Sequence, residues 1–392
     1  MAADDDGGAT EPVHETPNRP ALLELFFDLA FVFVLILLTT RLFDELTWVN
    51  AGQTLILLLA FALLWALTAW AGDLLSPALL LPRAIGSMVG ILLMGATVMD
   101  AYGSRGLLFA ATYVGVTLGT GLYMRILGPP ALRLRTVRIF CWFVLSSAGW
   151  LAGGTLSGTA RGALWAAAIT IEYVGATLGW PVPGSWRRVP RHNQRLVGER
   201  IAERYRQFVI VALGVSIYVT GSAFTTTTYT MAHTVALVVV FAVKVMIWRI
   251  YIGGAGELMA ATIARSADPI RLSQLTALLH LVMVAGIIGT AVTSKLVIGR
   301  PFGDTPGSWT AVVVGGPMLF LIGRGALGYI VFARVSWAFV IGLPLLAALA
   351  AAAPLVPPVA LALGVLIILT GVAVQNTVSW RRRPLVPTVR GR

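Results

Sequence analysis

Residues 21–40 read ALLELFFDLAFVFVLILLTT, an apolar run broken by two acids, Glu24 and Asp28. At 1.5 Å per residue, a helix of about twenty residues covers roughly 30 Å of hydrocarbon, so this run is long enough to cross a bilayer. Comparable runs lie near 48–72, 84–100, 106–125, 138–156, 162–180, 207–225, 230–248, 272–298, 309–329, 335–353 and 357–379. In lipid every backbone donor and acceptor must be paired internally, and the strict alternation that a barrel requires is absent. The spacing therefore predicts an all-α polytopic integral membrane bundle of about 12 transmembrane helices.

Composition agrees. The chain of 392 residues is 57% hydrophobic and 12% charged, with a mean hydropathy of +0.84, where soluble chains carry about 25% charged residues. A soluble globular enzyme is excluded. The net charge of +12 raises nucleic acid as a partner only until the basic residues are located. With the N-terminus in the cytoplasm, 23 of the 29 Lys and Arg fall in inner segments, the bias expected of membrane topology. They flank spans and form no aromatic-interleaved basic face, so the expected partner is the lipid bilayer and not nucleic acid. This places the chain in the cell inner (plasma) membrane with both termini cytoplasmic.

The organisation follows. Residues 1–20 read as a disordered acidic tail, whose charge is opposite to that of a secretory signal, so the first span is expected to be retained. Residues 21–380 form the transmembrane domain, with halves 21–180 and 207–380 joined by a basic loop at 181–206, and 381–392 form a basic tail. Glu24-Leu-Phe-Phe-Asp entering span one and Glu203-Arg-Tyr-Arg-Gln entering span seven share a pattern, which points to two six-helix halves related as a parallel repeat. The pairs Gly115/Gly119, Gly149/Gly153, Gly154/Gly158 and Gly175/Gly179 are spaced to let helix backbones approach closely.

Charged groups inside spans are costly, about 2.5–3.5 kcal/mol at a helix centre on insertion scales, so each requires a reason. Asp28, Glu172, Lys244 and His280 lie within spans, and Glu24 shares a helix face with Asp28. With the inferred topology these groups fall in one inner half-layer, with Gln375 and Asn376 at a comparable level in span twelve. Glu24, Asp28, Glu172, Lys244 and His280 form the candidate polar site; Asp100, Glu203, Arg204, Gln375 and Asn376 are supporting candidates. The structural alternative for Asp28 and Glu172 is an interhelical pair with Lys244 or a backbone donor. Glu24 and Glu203 also suit first-turn positions facing the helix dipole. No His-Glu-x-x-His zinc site or phosphate-binding loop occurs, and Cys141 is alone, so no metal site, cofactor or disulfide is expected.

Several segments resemble the bacterial low temperature requirement protein A family: Glu24-Leu-Phe-Phe-Asp-Leu-Ala-Phe-Val-Phe, Met99-Asp-Ala-Tyr-Gly, Ala168-Ile-Thr-Ile-Glu172, Ala202-Glu-Arg-Tyr-Arg-Gln-Phe-Val-Ile-Val-Ala-Leu-Gly214 and Leu279-His-Leu-Val-Met-Val-Ala-Gly-Ile-Ile. The resemblance implies a polytopic membrane protein, and it carries over Glu24, Asp28, Asp100, Glu172, Glu203, Arg204 and His280 as signature residues. Where the family shows Leu-Gly-Glu-Ser, this chain has Leu213-Gly-Val-Ser216, so Val215 stands in place of an acid.

Three function classes compete. The leading one is a transporter or permease for a small solute, with a proton- or cation-linked acidic site. The others are an intramembrane enzyme acting on a lipid or isoprenoid, and a non-catalytic scaffold or accessory protein. The sequence leans away from an enzyme.

Overall fold

Hydrocarbon leaves the backbone no partner but itself, and the apolar runs become helices. A computed structural model describes residues 19–72, 75–182, 194–253, 259, 261–263, 265–266, 269–332 and 336–382. The helices are α1 (Arg19–Asp44), α2 (Trp48–Gly72), α3 (Pro77–Gly95), α4 (Gly106–Leu127), α5 (Arg133–Thr155), α6 (Gly158–Leu178), α7 (Gln194–Thr225), α8 (Met231–Ile252), α9 (Pro269–Gly299), α10 (Gly307–Val313), α11 (Gly315–Phe332), α12 (Trp337–Ala352) and α13 (Pro358–Arg382). No strand occurs among the described residues.

Eleven segments are long and apolar enough to cross a membrane, with α10 and α11 together making one of them. The remaining expected span, 162–180, forms helix α6, which with its Arg161, Glu172 and glycines is not among those eleven. Outward-facing Leu22, Leu25, Phe26 and Leu29 on α1, and Val144 and Leu145 on α5, leave apolar faces of the kind lipid covers. One core cluster runs from Phe27 to Ala373 and so draws on nearly the whole described chain.

Two expectations need correction. Residues 194–206 are not loop: α7 starts at Gln194, because this stretch is rich in helix formers and holds no proline. Consequently Arg204 is a helical residue. Arg83, Arg138 and Arg324 are likewise inside helices rather than in loops, and all four are under 10% exposed. Topology explains the exposed basic residues and not these. The acidic tail up to residue 18, residues 183–193 of the basic loop and residues 383–392 lie outside the described residues.

The glycines divide. A Cβ on Gly149 or Gly153 would press on Ala168 or Trp165 of α6, one on Gly154 on Leu107 of α4, and one on Gly175 on Trp142 of α5. Helices α4, α5 and α6 therefore pack closely, as the spacing predicted. Gly115, Gly119 and Gly158 meet nothing and are not packing positions. The closest backbone-to-backbone approach between helices is elsewhere: a Cβ on Gly286 would come within 2.6 Å of the Gly316 oxygen, and one on Gly316 within 2.9 Å of the Gly286 oxygen, where α9 meets α11. Glycines four apart on one helix do not report this contact, whose members lie on different helices.

Candidate functional site

Asp28 is 2% exposed and is held from two other helices. Arg204 Nη1 donates to its Oδ2 and Arg204 Nη2 to its Oδ1, each at 3.0 Å, and Trp65 Nε1 donates to Oδ1 at 2.9 Å. The guanidinium also lies over the Trp65 ring, 5.3 Å from its centroid, bonds Gln207 Oε1 at 3.0 Å and sits 3.9 Å from Glu24. Glu24, four residues before Asp28, thus shares the same cation. A bidentate, charge-assisted pair of this kind fixes orientation as well as distance. It joins α1 to α7, 176 residues apart in the chain.

The pair is backed by rings. Trp65 stacks on Phe208 at 4.5 Å between centroids and neighbours Tyr205 at 6.0 Å, and Tyr205 stacks on His280 at 5.3 Å. His280 Nδ1 lies 2.7 Å from the Thr276 carbonyl and must donate to it, leaving Nε2 to accept the Tyr251 hydroxyl at 3.2 Å. Trp65, Tyr205, Phe208 and His280 form part of the wall of a cavity of about 180 Å³. The other walls come from the end of the bundle where α2, α4 and α6 finish and α3, α5, α7 and α9 begin.

One side of that wall is set by local sequence. Gly179 ends α6 in the left-handed conformation (φ 76°), its N–H bonded to Ala176 O at 3.1 Å and that of Trp180 to Gly175 O at 2.7 Å, a Schellman ending that glycine makes cheaply. The turn brings the Trp180 ring to 5.7 Å from Phe143, and both line the cavity.

Glu172 occupies a second nest, made by α4, α5 and α6. Tyr113 Oη donates to its Oε2 at 2.5 Å, and Ser146 Oγ and Trp150 Nε1 donate to its Oε1 at 2.6 and 2.9 Å. It is 0% exposed, and no Lys or Arg pairs with it among the described residues. Lys244 occupies a third nest. Its Nζ donates to Val240 O at 3.1 Å, Thr290 O at 3.3 Å and Ser294 Oγ at 2.7 Å, which uses all three of its N–H groups; Ser294 Oγ in turn meets Thr220 Oγ1 at 2.9 Å.

The expected single polar layer is therefore divided. Asp28, Glu24 and Arg204 come together, and His280 joins them through the aromatic wall; Glu172 and Lys244 are each satisfied separately. Neither acid pairs with Lys244, because each buried group found donors or acceptors on adjacent helices. Asp100 is remote: it caps the turn after α3, beside Arg41 at the far end of α1, and Arg41 donates to Met99 O at 2.9 Å. Hydrogen bonds from Ser104 Oγ, and then from the Arg105 N–H, hold the Asp100 carboxyl below its ordinary range. Glu203 is exposed and pairs with Arg206 at 2.7 Å. Gln375 faces outward, while Asn376 is buried near Gly253. Val215 is buried in the core, a place that an acid could take only with a partner.

Sequence reasoning missed Trp65, Tyr113, Ser146 and Trp150 as partners of the acids, and Arg83 as a lining residue. Only the intramembrane position of each acid signalled that such donors had to exist. Among the described residues, no three His, Cys, Asp or Glu side chains gather as a metal site would require.

These features define a polytopic all-helical membrane protein with a buried ion pair joining its first and seventh helices behind a cavity. The chain belongs to the bacterial low temperature requirement A protein (LtrA) family, whose model matches residues 20–374. It is 31% identical over 339 residues to an uncharacterized protein of Rhizobium meliloti (strain 1021), covering 84% of this chain and 82% of that relative. No solved structure matches.

Proposed function

We propose that the protein is a transporter in which the Asp28–Arg204 pair couples a proton or cation to the occupancy of the cavity. The observation that supports this is Trp65: its indole N–H holds Asp28 while its ring forms cavity wall. A proton taken up by Asp28 removes the charge that fixes Arg204, and the released guanidinium frees Trp65 and α7 to move. Since α1 and α7 open the two halves, a change in this pair acts where the halves would rock against each other. In this reading the protein sits in the bacterial plasma membrane with its basic end, and hence the cavity, toward the cytoplasm.

The test is flux in reconstituted vesicles carrying an internal pH dye, with an imposed proton or potassium gradient. Wild-type protein should dissipate a gradient faster than empty vesicles, and Asp28→Asn should reduce that rate roughly tenfold or more, the effect of losing about 1.4 kcal/mol of differential stabilisation. Rates equal in wild type and variant overturn the role of Asp28. A scaffold is the second reading, favoured by the fully satisfied nests of Glu172 and Lys244. It predicts that Asp28→Asn lowers the melting temperature in detergent while no flux is seen in either protein.

A further inference from the structure

Arg83 carries an observation that the transport reading does not use. It lies in α3, one residue after Pro82, and is 6% exposed. Its Nη2 donates to Leu67 O at 3.2 Å, but Nε and Nη1 have no partner. Three N–H donors of a permanent cation are thus buried and unused, on a residue that lines the cavity. Such groups are rarely left so unless something else fills the place. Arg135 lines the same cavity and adds a second positive charge. Most of the remaining wall is hydrocarbon and aromatic, with Leu63, Phe140, Phe143, Trp180, Phe208 and Leu281 among its members.

A cation short of acceptors at one point of an apolar cavity is complementary to one kind of molecule. We propose that the cavity binds an anionic amphiphile, with its carboxylate or phosphate head on Arg83 and its hydrocarbon body against the apolar wall. The head supplies the acceptors that Nε and Nη1 lack, through charge-assisted hydrogen bonds. The body gains from contact with a pocket that water wets poorly. A free inorganic anion offers only the first of these, and a neutral surfactant only the second. The proposal names the substrate class of the transport reading and rests on it only in treating the cavity as ligand space.

The experiment measures equilibrium binding to the full-length protein in phosphatidylcholine nanodiscs, where no flux is involved. Radiolabelled dodecyl phosphate, dodecanoate, inorganic phosphate and neutral dodecyl maltoside are the probes. Dodecyl phosphate and dodecanoate should bind saturably, with Arg83→Gln weakening both roughly tenfold or more, Arg83→Lys retaining part of the affinity, and dodecyl maltoside indifferent to either change. Leu281→Trp, which fills the cavity and leaves Arg83 intact, should abolish binding of both anionic amphiphiles and so covers the case in which Arg83→Gln does not fold. Inorganic phosphate binding as tightly as dodecyl phosphate would overturn the role of the chain. Equal binding by wild type and Arg83→Gln, or by wild type and Leu281→Trp, would overturn the site. If binding fails while flux that depends on Asp28 persists, only this inference falls; if binding holds and flux is absent, only the transport reading falls.

Discussion

Asp28 and Glu172 are both carboxylates closed off inside the bundle, yet the protein satisfies them by opposite means. Asp28 is met by a guanidinium from the other half of the chain, with one indole N–H beside it. Glu172 is met by a phenol, a hydroxyl and an indole, all neutral and all within its own half. The first arrangement leaves a buried charge without its closest counter-charge if either partner is lost. The second is a set of ordinary hydrogen bonds that degrade one at a time. Burial of an acid is thus no guide to its role; the kind of partner distinguishes a connection between distant helices from a fastening among neighbouring ones.

Four substitutions, two of them combined, test the contrast. The largest effect is predicted for Asp28→Ala, which leaves Arg204 buried with only the more distant Glu24, 3.9 Å away, as counter-charge and should cost about 3–5 kcal/mol, read by denaturant melts in detergent. Adding Arg204→Met should recover much of that loss. A double variant as damaged as the sum of the two singles would show that the pair is not a coupled unit. A smaller loss, about 1 kcal/mol, is expected for Glu172→Gln, because the amide keeps an acceptor for Ser146 and Trp150 and the Tyr113 hydroxyl can turn to accept. This variant should retain the flux that Asp28→Asn loses, and a loss of flux at full stability would erase the distinction between the nests. The smallest effect belongs to Glu203→Gln, which breaks the half-exposed pair with Arg206 and should change stability by about 0–1 kcal/mol, with any change screened by added salt. A loss comparable to that of Asp28→Ala would show that α7 is secured by its surface charges rather than by Arg204.

The helices were legible because hydrocarbon imposes one solution on a long apolar run, and eleven of the expected spans stand out on length and hydropathy alone. Asp28, Glu172, Lys244 and His280 were legible as buried polar groups for the same reason. Their partners were not. Trp65 lies 37 positions from Asp28, and Tyr113 lies 59 from Glu172; both read as ordinary apolar residues until the helices are arranged. Arg204 lies in a stretch whose polarity reads as loop, since the start of α7 follows helix propensity rather than hydropathy. Arg83 was hidden similarly, because counting basic residues for topology treats every arginine near a span end as solvent-facing. The backbone contact at Gly286 and Gly316 depends on two helices meeting, and no pattern within one helix reports it.

The separation of 176 residues between Asp28 and Arg204 also has a consequence in time. The chain emerges from the ribosome N-terminus first, at about 5–20 residues per second, so the acid is made roughly 9–35 s before its cation. Glu172 has the reverse history: Tyr113, Ser146 and Trp150 all precede it and await its synthesis. The first helix must therefore be inserted with its carboxyl provisionally accommodated, and the arrival of α7 is the step at which the nascent protein exchanges that arrangement for its permanent one.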